Sequence, residues 1–481
     1  MQSIFWHDYE TFGVNPQKDN PCQFAGIRTD LDLNIIEEPI TIYCKPSEDN
    51  LPSPDACIVT GITPQIAMNE GISEADFAKQ IHKKFSVPGT CVAGYNSIRF
   101  DDEVSRNLFY RNFYDPYERE WKNGNSRWDI IDVVRLAYAL RPEGINWPVD
   151  DNKQVSFRLE RLTEANGIEH ASAHDAMSDV YATIAMAKLI KDKQPKLYQY
   201  IFDLRNKQAV SNVFEIEQHK PVLHVSSKYP VVLGCSALVA PLFKHPSNNN
   251  GIVVFDLRQN PETLFPLSVE EIRARLYTAT KDLVEGIQRP ALKTIHINKC
   301  PMVVPASMAN TIDPERLGAW GIDLVQTKIH LDLLRTHPEF IEKLKLVFDD
   351  PYEVALTSDP DLMIYSGGFF SSNDKTEMAR VRAVNEVELA ESDFDFKDKR
   401  LDEMLFRYKA RNYPATLNED EQARWSVHCS QKLLAPDSVY ITFTQFFDRL
   451  NQLAQDDNRS SMDLSILEDL KYYAESIIPY S

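Results

Sequence analysis

The stretch Ser3-Ile4-Phe5-Trp6-His7-Asp8-Tyr9-Glu10 decides how this chain is read. An apolar run from Ser3 to Trp6 enters a tripeptide with an acid at each end, Asp8-Tyr9-Glu10. In a strand, the side-chain period of two puts both carboxylates on one face, ~7 Å apart along the chain. Apolar residues would ordinarily be buried there, so two acids on that face need a cationic partner. Hard divalent ions such as Mg²⁺, which take oxygen ligands and substrate phosphates, meet that need. The ordinary alternative is a solvated strand end, because Asp-x-Glu is frequent by chance.

Further strands are expected at 23–28 and 39–44, separated by Asp/Asn turn chemistry. Thr63-Pro64 reads as an N-cap followed by proline at the first helical position. Ser73 opens a helix in which Phe77, Ile81 and Phe85 recur at i+4. A buried strand at 91–94 leads into Gly94-Tyr95-Asn96-Ser97-Ile98-Arg99-Phe100-Asp101-Asp102, a turn into a helix that starts near Asp101. An acid at that position suits the helix dipole, so an N-cap at Asp101 or Asp102 is the ordinary reading. Helices are expected over 156–166 and 173–193, the second with Ala176, Val180, Ile184, Ala187 and Ile190 on one face. It opens with His174-Asp175-Ala176-Met177-Ser178-Asp179, and His174 and Asp179, a little over one turn apart, are close enough for both to face one site. The ordinary reading makes His174 a helix cap and Asp179 a solvated acid.

A chain of 481 residues exceeds one ordinary core. Three antiparallel-looking strands followed by alternating helix and strand imply an α/β domain over 1–190. The polar 191–196 stretch with Pro195 marks a boundary. Short β-like runs at 222–225, 231–233, 252–255 and 292–297, with a helical insertion near 270–285, imply a small β-barrel domain over 195–350. Helical spacing dominates a third domain, 351–481. No apolar run approaches the ~20 residues that span a bilayer, and the N-terminus lacks a signal-peptide pattern, so a cytoplasmic protein with no membrane partner is expected. Seven scattered cysteines without a CxxC pair read as free thiols. The net charge of −19 weighs against a nucleic-acid partner, but binding depends on the local field of a groove rather than on the sum.

Asp-x-Glu on a first strand, Asp opening a central helix and His-x4-Asp on a late helix, in that order in one α/β domain, resemble the DEDD 3′→5′ exonucleases of the histidine subclass. The resemblance narrows further. HDYETFG (7–13), VTGITPQ (59–65), GYNSIRFDDEVSRNLFYRNFYDPY (94–117), RPEGINWP (141–148), SFRLERLTEANGIEHASAHDAMSDVYATIAMAKL (156–189), HINKCP (296–301) and GFFS (368–371) look like bacterial exonuclease I. That family implies an RNase H-like exonuclease domain, an SH3-like β-barrel domain and a C-terminal helical domain. It also implies a monomer that degrades single-stranded DNA from the 3′ end in repair and recombination. Two Mg²⁺ ions ~3.5–4 Å apart, with Mn²⁺ as a substitute, would activate a water and stabilise the departing 3′ oxygen. Asp8, Glu10, Asp101 and Asp179 are then the metal ligands, and neutral His174 the general base.

The resemblance gives the substrate a set of cations and aromatic faces, the combination that holds single strands without reading sequence. These are Arg106, Tyr117, Trp121, Arg135, Arg141, Arg158, Tyr200 and Lys207, with Glu10 at the reacting end. Phe12 is expected to wedge the terminal base, and Asn298 and Lys299 to line the groove from the barrel. A second partner is implied, the acidic C-terminal tail of single-stranded-DNA-binding protein, in a basic pocket around Arg141, Arg316 and Arg335. Residues 302–312, MVVPASMANTI, add no basic group to it. Three rivals stay open: an exoribonuclease of the same superfamily, a non-catalytic binding protein that keeps the fold, and a metal hydrolase of small phosphoesters.

Overall fold

The computed structural model describes residues 2–170, 175–349 and 357–479. The chain forms two compact units: Met1–Ser126, His170–Ile184 and Val354–Ser481 make the first, Arg127–Glu169 and Ala185–Glu353 the second.

In the first unit, β1 (Ser3–Thr11), β2 (Pro21–Thr29), β3 (Ile40–Cys44), β4 (Gly71–Ile72) and β5 (Thr90–Gly94) lie in the order β4-β3-β2-β1-β5. β1 pairs antiparallel with β2, Asp8 opposite Ala25 and Glu10 opposite Gln23, with a bulge between Glu10 and Thr11. Its first half, Ser3 to Trp6, pairs parallel with Thr90 to Ala93. Pairing on both edges rigidifies the strand that carries the acids. Phe5 and Tyr9 pack into a core with Phe24, Phe77, Phe85, Val92 and Phe109. Each such ring contributes about 1.5–3 kcal/mol by leaving water. Ser73 caps the Glu74–Phe85 helix through the Asp76 N–H, and Phe77, Ile81 and Phe85 are its buried face. Thr63 likewise caps Pro64–Glu70, with proline in the first turn.

Helices of the last third of the chain belong to the same unit. Leu433, Phe446, Leu450, Leu467 and Leu470 share a core with Phe12, Cys22, Leu51 and Cys57. Beside it, the buried Asp49 carboxylate pairs with Arg411 and Lys432, each at 2.8 Å, and Arg411 also reaches Asp361 at 2.7 Å.

A short strand, β6 (Ser126–Asp129), leads in sequence to the second unit. There β7 (Val222–Val225), β8 (Ser236–Lys244), β9 (Gly251–Asp256), β10 (Leu292–His296) and β11 (Met302–Pro305) form an antiparallel sheet in the order β10-β9-β8-β7-β11. One side packs Leu242, Val253 and Phe255 against Leu334, Phe340 and Leu344; the other packs Val239, Ile252 and Val254 against Leu204, Val210 and Phe214.

Three expectations need correction. The strand expected at 231–233 is a 3₁₀ turn, closed by Gly234 at φ 62°, where a Cβ would fall 2.2 Å from the Trp320 ring. The helix expected at 156–166 starts only at Leu159, because Arg158 is extended. The insertion expected to reach 285 is α-helical over Val269–Tyr277, held by a Ser268–Glu271 capping box, and is followed by a 3₁₀ turn at Thr280–Asp282. Among the described residues, no helix is long and apolar enough to cross a membrane. All seven cysteines are buried and unbridged.

Candidate active site

Asp8 and Glu10 project from one face of β1, and Asp179 from the first turn of the Ala176–Lys193 helix. One carboxylate oxygen from each lies within 4.8 Å of the other two. Among the described residues this is the only cluster of three or more His, Cys, Asp or Glu ligands so arranged. Gln23, opposite Glu10 in the sheet, helps to seat the helix: its Oε1 accepts from the Ala176 N–H at 3.4 Å, and its Nε2 donates to the Tyr43 hydroxyl at 2.9 Å. Asp175 caps the helix by accepting from the Ser178 N–H at 3.0 Å.

Asp101 arrives from β5. Gly94 lets the chain pass close to β1, since a Cβ there would sit 2.9 Å from the His7 carbonyl. Asn96 turns it at φ 61°, a left-handed conformation that asparagine tolerates. The helix Asp101–Arg111 follows, with Phe100 at the cap position, so Asp101 does not serve as its N-cap. Its Oδ1 accepts the Tyr9 N–H at 3.2 Å, from the residue between the two strand acids.

Burial pushes the Asp8 carboxyl well above the usual range, and the charges of Asp101, Glu10, Asp179 and Asp175 push it further. Glu10 is pushed up to about 8, by burial first and then by Asp179, Asp101 and Asp175. The leading charges on these two acids are all other carboxylates. A half-buried set of oxygen donors whose mutual repulsion raises their proton affinity fits a hard divalent cation, which would take the place of the protons.

A residue the sequence reading passed over also meets this cluster. His170 Nε2 lies 2.5 Å from Asp179 Oδ1, with the histidine side chain 6% exposed. His170 lies inside the family-like stretch, but nothing in its spacing marked it. His174, the expected base, lies outside the described residues.

The other candidates divide by burial. In the first unit Trp121 is 65% exposed, and Tyr117 stacks edge-on with Phe369, which is 90% exposed. Phe369 comes from the GFFS stretch and joins the candidates. Phe12, expected as a wedge, is instead a core residue beside Cys22 and Leu51. Arg106, expected at phosphate, is buried and held by Glu120 (Nε at 2.7 Å, Nη2 at 3.0 Å) and by Glu103 (2.6 Å). Two carboxylates already occupy its fork, which favours a structural role.

In the second unit Arg135 is likewise buried, paired with Asp132 at 2.6 Å and set over the Phe157 ring. Arg158, by contrast, exposes 79% of its side chain, and Lys207, Asn298 and Lys299 are exposed. Tyr200 donates its hydroxyl to the Val303 carbonyl at 3.1 Å. With Arg141, Lys196, Val304, Pro305 and Met308 it lines a cavity of about 540 Å³. Arg316 and Arg335 are not among the lining residues; Arg316 donates to the Tyr138 carbonyl and Arg335 to that of Gln218.

Exodeoxyribonuclease I of Escherichia coli (strain K12) is 47% identical to this chain over 480 residues, which cover 99% of each. This chain belongs to the exonuclease I family. Residues 5–187 match the family described as Exonuclease, 205–350 the Exonuclease I SH3-like domain and 358–477 the Exonuclease I C-terminal domain. Among solved structures, E. coli exonuclease I in complex with a dA16 oligonucleotide superposes with a TM-score of 0.94 at 45% identity, covering 99% of this chain and 100% of that one. The zinc ion bound form of the E. coli ExoI–ssDNA complex gives 0.93 at 46%, covering 99% of both. Like other members of the exonuclease I family, the chain is an exodeoxyribonuclease, a phosphodiester hydrolase. The RNase H-like, SH3-like and C-terminal helical composition implied by the sequence is borne out.

Proposed function

We propose that this protein degrades single-stranded DNA from the 3′ end by hydrolysis supported by two divalent cations, releasing 5′-mononucleotides. The observation that carries this is the convergence of Asp8, Glu10 and Asp179 within 4.8 Å, with Asp101 close enough to raise the proton affinity of both strand acids. Mg²⁺, with Mn²⁺ as a substitute, suits an all-oxygen donor set. Two such ions would supply a nucleophilic water and stabilise charge on the departing 3′ oxygen. The chain's own part is to hold the carboxylates on a rigid strand and two helix starts. His174, the histidine of the family pattern, would take the proton of the attacking water.

For the strand itself, the exposed rings of Trp121 and Phe369, with Tyr117, offer stacking faces in the first unit. In the second unit, exposed Arg158, Lys207, Lys299 and Asn298 offer groups for phosphates. The DNA bound in the related crystal structures supports the substrate. The setting is DNA repair and recombination in the cytoplasm, with the protein acting as a monomer.

The cavity of the second unit is the proposed seat for the acidic tail of single-stranded-DNA-binding protein. Arg141 and Lys196 supply charge at its wall, and Val304, Pro305 and Met308 an apolar floor. This accounts for the lack of basic residues in 302–312.

Digestion of a 3′-labelled single strand beside its duplex, with Mg²⁺ or EDTA, tests the proposal. Early release of label as mononucleotide, from the single strand and only with Mg²⁺, is expected. Faster turnover of an RNA strand, or release in EDTA, would overturn it.

A further inference from the structure

Directly behind Asp101 lies a buried ion pair that the reaction does not use. Arg119 Nη2 donates to Asp102 Oδ1 at 2.6 Å, with side-chain exposures of 0% and 2%. Arg119 sits in the 3₁₀ turn Glu118–Glu120, and its guanidinium lies 4.8 Å from the centre of the Phe85 ring. Its Nε and Nη1 find no hydrogen-bond partner among the described residues, so Asp102 is the group that compensates this buried cation. The neighbouring residue of the same turn, Glu120, grips Arg106 one turn further along the helix. The turn is therefore fastened to the Asp101–Arg111 helix at two successive places.

The same helix start faces β1, where the buried His7 feels the charges of both Asp102 and Arg119. Tyr9 meets it twice, through its N–H on Asp101 and through its hydroxyl, 3.0 Å from Ser105 Oγ. Asp102 and Asp101 are adjacent, so an anchor on one limits where the other can lie.

We propose that Arg119 is a positioning residue. Through Asp102 it holds the helix start against β1, so that Asp101 is presented to the divalent cation in advance. This rests on the reading of Asp8, Glu10, Asp101 and Asp179 as cation ligands. A preorganised ligand set binds more tightly because the residues that orient the ligands are fixed beforehand.

The test is Mn²⁺ binding to the full-length protein without DNA, measured by titration calorimetry, beside the thermal midpoint. Arg119→Met should weaken Mn²⁺ binding by about tenfold or more. Arg119→Lys, which keeps the buried cation, should recover most of the affinity. Asp102→Asn, which keeps the side-chain volume, should reproduce the loss and decides the matter if Arg119→Met fails to fold. At saturating Mn²⁺ the kcat of the folded variants should return towards that of the parent. Mn²⁺ affinity unchanged in folded Arg119→Met or Asp102→Asn protein, with only the thermal midpoint lowered, would overturn the proposal. A parent protein that binds no Mn²⁺ at all would remove the ligand reading, and the positioning role with it.

Discussion

The Tyr9 N–H donates to the Asp101 carboxylate at 3.2 Å, joining the middle of the Asp8-Tyr9-Glu10 tripeptide to the start of a helix 92 residues further along. A strand gives up backbone hydrogen-bonding capacity there to fix an acid from elsewhere. The bond places a third source of negative charge beside Asp8 and Glu10, and the proposed chemistry follows from that crowding.

Removal of a ligand and removal of the base should therefore have different signatures. Asp8→Ala should weaken both Mn²⁺ binding and turnover. His174→Ala should leave ion and DNA binding close to normal while lowering kcat by about 10²-fold or more. Calorimetry and single-turnover kinetics separate the two. Normal turnover in His174→Ala would remove the histidine from the mechanism, and unaltered Mn²⁺ affinity in Asp8→Ala would contradict the ligand assignment.

The raised Glu10 value gives a pH dependence of defined sign. Its carboxyl titrates near 8 in the folded protein, against an ordinary value of 4.5 for the unfolded chain. Between those values the folded protein holds the proton more tightly, so this group's contribution to stability falls as pH rises. Thermal midpoints in EDTA should show Glu10→Gln gaining on the parent from about pH 5 to about pH 8. Saturating Mg²⁺ should shrink that gain, because a cation replaces the proton. A parent-to-variant difference independent of pH would contradict the crowding.

Asp49 carries a separate burden. Although burial pushes its carboxyl upward, Arg411 and Lys432 hold it well below the usual carboxylate range. Asp49→Ala would leave two buried cations short of a partner and should cost about 3–5 kcal/mol of stability. Urea denaturation measures this. A loss below about 1 kcal/mol, the value of a solvent-exposed pair, would show that the network is solvated.

Exposure separates the aromatic candidates. Trp121→Ala should weaken binding of an oligothymidylate in EDTA by about 1–3 kcal/mol, the value of one stacked base. Phe12→Leu, a change in the core, should leave affinity nearly unaltered and lower stability instead. The reverse pattern would restore Phe12 as the wedge and remove Trp121 from the strand's path.

The sequence carried the site further than it carried the fold. Asp8, Glu10 and Asp179 were legible because a period-2 acid pair and a one-turn His/Asp spacing are local patterns, and the structure brings those acids together. Strand β8 was missed because all but its last residue is buried, which erases the alternation that marks a half-exposed strand. The pairing of Arg106 and Arg135 was not legible for a related reason. An arginine in sequence does not show whether a carboxylate already holds it, and Glu120 and Asp132 do so only in the folded chain. Gln23 and His170 had no local signal, since their partners, Ala176 and Asp179, are met through tertiary contacts.

Mn²⁺ soaked into crystals of the protein, with anomalous scattering recorded at the manganese edge, tests the central claim most directly. Two peaks are predicted among the carboxylate oxygens of Asp8, Glu10, Asp101 and Asp179, and they should be lost in Asp179→Ala. Manganese bound elsewhere, with no peak at this cluster, would contradict the account.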